Sequence, residues 1–301
     1  PRLRDFQAWL RRHRDPQGRG IVMNLHPWET GADNSAAWDA ALAAVPVADL
    51  PPYQRRDTGH VDASQRPLQH EYDRYLSLVV GFRERQYRPD KIYQWSPFRV
   101  ADPGFNAINA RANADLAWLA RRLAIGDAEP AAWAEEGRAG LQRLWDDEAG
   151  WFLPYDDHAR RKVPVRVSAG AVPLFARAAS QEQADRIARR LERWGEIVRY
   201  LVPSTDPESP AFEPKRYWRG PVWAIVNWMI VEGLRAYGHD GLADRVKADT
   251  LELLENTGFA EYYHPLTGEG LGGWTFSWTA AIYLDWTAGV GESRRAGTVP
   301  G

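Results

Sequence analysis

The sequence contains no cysteine. That excludes disulfide staples, a thiolate nucleophile and any cysteine-ligated metal. An excess of charge is also missing: 38 Lys+Arg face 40 Asp+Glu, for a formal net charge of −2. The electrostatic footprint that nucleic acid or an anionic membrane surface would call for is therefore absent, and neither is expected as a partner. Long apolar runs are lacking too. The most apolar segment, Gly220–Val231, offers twelve uncharged residues, whereas crossing a bilayer takes about 20; it reads as a core helix. The seven His are scattered, with no H-E-x-x-H pair, so no catalytic metal and no other cofactor is expected. There is no P-loop and no G-x-S-x-G elbow. Residues 268–273 match G-x-G-x-x-G in form, but no strand precedes them and no βαβ alternation surrounds them, so the dinucleotide reading fails. What the chain has in abundance is aromatic rings: 15 Trp, 12 Tyr and 9 Phe. Carbohydrate sites are one place where flat apolar rings with polar edges are needed.

Periodicity points to an all-α fold. Apolar residues recur three and four apart at Leu76, Val79 and Val80, and again at Ile108, Ala112, Leu116, Leu119 and Leu123. Helices are expected over roughly 2–13, 35–45, 69–86, 106–124, 129–146, 168–178, 182–196, 221–238, 241–257 and 276–286, with ends good to about two to four residues. Strand-like pieces occur only near 150–154 and 162–167, as small hairpins in loops. No biased linker divides the chain, so residues 1–301 read as a single domain. Aromatic-acidic corners follow two helices, at 145–152 and 261–270, a faint echo of a helix-pair array.

Four constellations carry chemistry-bearing residues. The first, Leu25–Asp39, packs Glu29, Asp33 and Asp39 between Trp28 and Trp38. Asp33 is also a good helix N-cap type, and capping is the ordinary role for an acid there; two flanking Trp instead suggest a sugar platform. The second, Phe259–Ala281, sets Glu261 beside Tyr262, Tyr263 and His264, with a glycine-rich loop and Trp278 following. A solvated carboxylate at a helix end is its bland alternative. The third, Lys215–Trp223, gathers Tyr217, Trp218, Arg219 and Trp223 just before the most apolar helix: either a helix-entry corner with Arg219 pairing a carboxylate, or an aromatic wall with a cationic rim. The fourth, residues 55–67 followed by 71–75, is densely charged and reads as a solvated, mobile loop.

Taken together these segments resemble glycoside hydrolase family 63, with trehalase-type enzymes as more distant relatives. The resemblance rests on His26–Ser35 (HPWETGADNS), Asp102–Ile108 (DPGFNAI), Tyr217–Trp223 (YWRGPVW), and Glu261–Gly268 (EYYHPLTG) followed by Phe276–Ala281 (FSWTAA), in that order along the chain. The loop Arg56–Pro67 (RDTGHVDASQRP) is similar to the branch that hydrolyses glucosylglycerate or mannosylglycerate. The resemblance implies an (α/α)6 toroid, inversion at the anomeric carbon, Asp33 as general acid and Glu261 as general base. A small carbohydrate is expected as the partner and the setting as cytoplasmic, with Trp28, Glu29, Trp38, Arg66, Tyr217, Trp218, Arg219, Trp223, Tyr262 and Trp278 expected to contact the substrate. Association into a homo-oligomer stays open. Ala37 stands where trehalase-type relatives carry Arg, which argues against trehalose, and Ala32 replaces a bulkier residue. Ten helices against the family's twelve, with 25 residues before the first motif, suggest a toroid short of its first helices.

Inversion needs one carboxyl protonated and the other ionised, roughly 6.5–9.5 Å apart with a water between them. An Asp ordinarily titrates near pH 4. Burial by Trp28 and Trp38, with Glu29 or Asp39 as a like charge, would keep Asp33 protonated; Tyr262 or Tyr263 would hydrogen-bond Glu261. A glycerate carboxylate calls for an Arg fork, and Arg66 is preferred over Arg219, with Tyr217, Trp218 and Trp223 around the glycerate and the 55–67 loop as a lid. The alternatives are an α-glucosidase acting on neutral oligosaccharides, or a carbohydrate-binding fragment without turnover.

Overall fold

The computed structural model describes residues 2–59 and 61–288. His60, within the charged loop, lies outside the described residues. Ten α-helices run through them: α1 (Arg2–Arg14), α2 (Asp39–Ala43), α3 (Gln69–Glu84), α4 (Pro89–Trp95), α5 (Pro103–Arg122), α6 (Ala128–Leu141), α7 (Gln181–Trp194), α8 (Ala224–Ala236), α9 (Asp240–Thr257) and α10 (Ser277–Thr287). The strands are all two residues long. Val100–Ala101 (β1) pairs with Tyr155–Asp156 (β4), which pairs with Arg161–Lys162 (β5). Trp145–Asp146 (β2) pairs with Trp151–Phe152 (β3), and Tyr262–Tyr263 (β6) with Gly270–Leu271 (β7). The architecture is all-α with hairpins in the loops, as the periodicity suggests.

The differences from expectation have local causes. Residues 168–178 form a 3₁₀ helix over Ser168–Leu174, because Pro173 inside it supplies no N–H. Around 35–45 the chain makes a 3₁₀ turn at Ala36–Trp38 before the short α2. Helix α4 lies outside the expected set; its signal is Pro89 in the first turn, where a missing N–H costs nothing. Helix α7 starts on a capping box, with Ser180 Oγ accepting from Gln183 N–H and the Gln183 side chain accepting from Ser180 N–H. Helices α5 and α6 pack through small residues: a Cβ on Gly137 would lie 3.1 Å from the Ala110 Cβ.

The core is built around Leu141, Trp151, Trp194, Ile230 and Leu234, all fully buried. Short extended segments that lead into helices line one end of the molecule and are tied by single antiparallel bridges: Asn24 to Val100, Val167 to Thr205, Pro203 to Val222, and Val222 to Tyr263. The Val222–Tyr263 bridge sets the Glu261 strand beside the segment that carries Tyr217 and Trp218, and Trp218 N–H donates to Asn34, next to Asp33.

Candidate active site

Asp33 lies in the turn after the 3₁₀ segment Pro27–Thr30, whose left-handed exit is made by Gly31 at φ 75°. The cap of the next turn is Ser35, whose Oγ accepts from Ala37 N–H. Asp33 is therefore relieved of the capping role, and among the described residues its carboxyl makes no ion pair. Its backbone carbonyl accepts from the Tyr75 hydroxyl at 2.8 Å, and the neighbouring Asn34 Oδ1 accepts from Trp218 N–H at 3.0 Å. These bonds tie the Asp33 turn to α3 and to the Trp218 segment. Burial pushes the Asp33 carboxyl up to about 6; the positive charge of Arg66 opposes the rise, and the negative charge of Glu261 adds to it. The expected repulsion from Glu29 or Asp39 is not its source. Glu29 is turned away, with Oε1 2.7 Å from Arg14 Nη2 and Oε2 accepting from Leu25 N–H. Asp39 makes a bidentate pair with Arg219 at 2.7 and 2.9 Å.

Glu261 sits one residue before β6. Its Oε2 accepts from Arg66 Nη2 at 3.0 Å and from Gly273 N–H at 3.0 Å, while its own N–H donates to the Gly273 carbonyl. The tyrosines expected to hydrogen-bond it do not: Tyr263 OH donates to Gly258 O, and Tyr262 OH faces Gln65. The donors come instead from the glycine run after β7 and from Arg66. Gly272, at φ 74°, approaches so closely that a Cβ there would lie 2.5 Å from Glu261 Oε2. The carboxylate is thus braced on one oxygen by a backbone N–H and a guanidinium.

Arg66 links the two acids. Its guanidinium lies 4.5 Å from the Tyr217 ring centroid, over the ring face, and both its side chain and that of Glu261 are about nine-tenths buried. The Tyr217 hydroxyl is pushed up, first by burial and then by the charges of Asp33 and Glu261, with Arg66 acting against them. Asp33, Glu261, Arg66 and Tyr217 therefore share one electrostatic environment. Tyr217 itself has φ 38°, a left-handed conformation that a bulky residue rarely adopts. Behind it Trp218 stacks on Trp223 at 3.8 Å, and Trp223 on Tyr262 at 4.9 Å. These three rings are buried, so they form the support of the site more than its open face.

The remaining expected contacts separate into two groups. Trp28 is 39 % exposed and meets His26, Tyr72 and Tyr75 edge-on or tilted, leaving a ring open to a ligand. Trp278 is also half-exposed, on α10 against Phe276. Trp38 must be corrected: it is a core residue, 1 % exposed, whose Nε1 donates to the Ala32 carbonyl. Glu29 and Arg219 are corrected as well, since both are consumed by the structural bonds given above, Arg219 also reaching Glu213 at 2.9 Å. Burial and pairing of this kind depend on partners distant in the chain, which spacing alone does not reveal. Sequence reasoning missed Gln65, whose Oε1 faces Gly272 N–H and the Tyr262 hydroxyl. It also missed the part played by Gly272 and Gly273; the glycine run was the available signal. His26 is buried and held near 4, hence neutral, with Nδ1 accepting from Trp28 N–H and Nε2 donating to the Tyr75 carbonyl. Among the described residues no cluster of acids and histidines is arranged to hold a metal ion, and no helix is long and apolar enough to cross a membrane.

The mannosylglycerate hydrolase MGH1-like glycoside hydrolase domain matches residues 1–279. The chain belongs to this family. It is 53% identical over 287 residues to the mannosylglycerate hydrolase of Thermus thermophilus, covering 95% of this chain and 69% of that protein. To mannosylglycerate hydrolase MGH1 of Selaginella moellendorffii it is 51% identical, covering 95% of this chain and 59% of the relative. To the glucosylglycerate hydrolase of Mycolicibacterium hassiacum it is 34% identical, over 94% and 66% respectively. Among solved structures, the GH63 mannosylglycerate hydrolase of Thermus thermophilus in complex with Tris and D-glycerate superposes with TM-score 0.92 at 54% identity, covering 94% of this chain and 69% of that one. The chain thus spans between 59 and 69% of the length of these curated relatives. Its fold is that of the helical toroid glycosidases. A yeast neutral trehalase, at 22% identity and TM-score 0.51, shares the fold alone.

Proposed function

We propose that this chain is one catalytic unit, residues 1–301, of an inverting glycoside hydrolase that cleaves an α-linked glycosylglycerate, mannosylglycerate first and glucosylglycerate second. The order follows the identities to the two kinds of relative. The observation that carries the reading is the contrast between the two carboxyls: Asp33 unpaired and pushed up to about 6 by burial, Glu261 ion-paired and bonded to a backbone N–H. In this mechanism Asp33 gives its proton to the glycerate oxygen as the bond from that oxygen to the anomeric carbon breaks. A water attacks the anomeric carbon from the opposite face and loses its proton to Glu261. A separation of roughly 6.5–9.5 Å between the carboxyls belongs to the proposal. Arg66, whose guanidinium bears on both acids, anchors the glycerate carboxylate, and Trp28 and Tyr217 flank the sugar. The setting is cytoplasmic, and the near-neutral charge leaves no part for nucleic acid.

A panel of mannosylglycerate, glucosylglycerate, trehalose and maltose, followed by NMR, tests this. The reading expects turnover of the glycerates with the β-sugar appearing first, and none of trehalose. A preference for maltose would transfer the assignment to an α-glucosidase. Absence of turnover on all four would leave a carbohydrate-binding unit.

A further inference from the structure

The bond between Arg66 and Glu261 is awkward for the role just given to each. A guanidinium bonded to a carboxylate stabilises its ionised form, the form a general base must give up when it takes water's proton. Arg66 also works against protonation of the acid, since its charge pulls Asp33 down against burial. As it stands, the same side chain restrains both catalytic steps. It is moreover only partly satisfied: Nη2 meets Glu261, but the buried Nε has no hydrogen-bond partner among the described residues.

The segment that carries Arg66 is tied to α3 at its start, where Tyr53 OH donates to Asp73 and its ring stacks on Tyr72, and to the site at its end. Residues 51–59 and 61–66 are exposed or half-buried as whole residues, with the Arg55 and Arg66 side chains tucked in. A short turn, Ala63–Gln65, capped by the Asp62 side chain, delivers Arg66. The segment then docks through the Arg66–Glu261 pair and through Gln65 Oε1, 3.3 Å from Gly272 N and 3.5 Å from the Tyr262 hydroxyl. Farther up, Arg55 pairs with Asp57 and lies over Tyr72.

We infer that Arg66 exchanges partners, leaving Glu261 for the carboxylate of an acidic aglycone, so that the general base is released only when that carboxylate is bound. This rests on the reading of Glu261 as base and Arg66 as carboxylate anchor, and it goes beyond that reading by making Arg66 a determinant of turnover as well as of binding. Gly273 N–H remains on Glu261 Oε2 after the exchange and keeps the carboxylate aimed. A neutral glycoside leaves the guanidinium on the base and turns over slowly even when saturating. The acidic aglycone, by contrast, relieves both restraints at once: the base loses its counter-ion, and the aglycone's negative charge offsets the positive charge that Arg66 directs at the acid.

The test uses an α-glycosyl fluoride of the sugar the enzyme cleaves. Fluoride leaves without a proton from the acid, and it leaves the glycerate position empty, so free D-glycerate can be added as a separate reagent. With the wild-type chain, D-glycerate should accelerate fluoride release several-fold in kcat. Arg66→Gln should release fluoride faster than unassisted wild type, respond little to D-glycerate, and lose most activity on the glycosylglycerate itself. Melting temperatures of both proteins confirm that the variant is folded, and the glycerate effect on wild type needs no variant at all. D-glycerate that only inhibits wild type, or that accelerates wild type and Arg66→Gln equally, overturns the exchange; so does an Arg66→Gln protein slower than wild type on the fluoride. In each of those cases wild-type turnover of the glycosylglycerate would leave the underlying reading standing. A wild-type chain inert toward glycosylglycerate and fluoride alike would remove the base assignment and the exchange together.

Discussion

The turn around Asp33 and the hairpin around Glu261 meet at the same end of the fold, yet they treat a carboxyl in opposite ways. Asp33 is surrounded by bonds that involve every neighbour except its own carboxyl: Tyr75 on its carbonyl, Trp218 on Asn34, Ser35 as the cap. The turn is fixed while the half-buried acid is left unpaired, and its affinity for a proton rises. The Glu261 hairpin is built in the other sense. Its glycines close in without side chains, so that a backbone N–H and a guanidinium reach one oxygen directly. The difference teaches that the pair is set apart by what touches each carboxyl, more than by the difference between Asp and Glu.

The strongest way to break the comparison is to neutralise the braced partner. Glu261→Gln should lower turnover by at least about 10²–10⁴-fold on any substrate, because water activation is lost. The next effect is geometric. Gly272→Ala places a Cβ against Glu261 Oε2, and displacement of a base by about 1 Å costs on the order of 10²-fold. The loss should appear in kcat of the folded protein, with the melting temperature also falling because Ala is strained at φ 74°; an unchanged kcat would mean that the hairpin does not aim the carboxylate.

These two residues show how legibility is divided. Glu261 stands out in the sequence because it lies inside an aromatic block with a recognisable order of motifs, as does Asp33. Helices with clear apolar spacing, such as α3 and α5, are legible for the same reason: their signal is local. The partners are not. That Glu29 belongs to Arg14, Asp39 to Arg219 and Arg66 to Glu261 is decided across as many as 195 residues of chain. Trp38 and Trp28 look alike in sequence, ten residues apart, yet one closes the core and the other lines an open face. Pro173 and Pro89 carry local signals of opposite sense, the first against an α-helix and the second for one, and apolar spacing alone overrides both.

Smaller effects sharpen the Asp33 side. Its half-buried carboxyl has Arg66, Glu261, Asp57 and Tyr217 as charged or titratable neighbours, and the balance holds it near 6. In the free enzyme, kcat/KM should therefore fall as pH rises through about 6. Stability follows the same group with a definite sign. Because the folded state holds this proton more tightly than the unfolded chain does, the wild type loses stability as pH rises from about 4 to about 6. Asp33→Asn removes that penalty. At pH 7 it should be more stable than the wild type by roughly 1–3 kcal/mol, because each tenfold change in proton affinity corresponds to about 1.4 kcal/mol. At pH 4 the gain should vanish. Urea unfolding at the two pH values checks this, and equal stability at both would mean that the acid is not held protonated.

The division of labour between the two corners is tested most directly by measuring Asp33→Asn and Glu261→Gln side by side on a glycosylglycerate and on the matching α-glycosyl fluoride. A fluoride leaving group needs no proton, but the water that replaces it still needs a base. Asp33→Asn should lose about 10²–10⁴-fold on the glycosylglycerate and keep most of its fluoride turnover, whereas Glu261→Gln should lose both. The same loss on both substrates for Asp33→Asn, or fluoride turnover retained by Glu261→Gln, would contradict the assignment of acid and base.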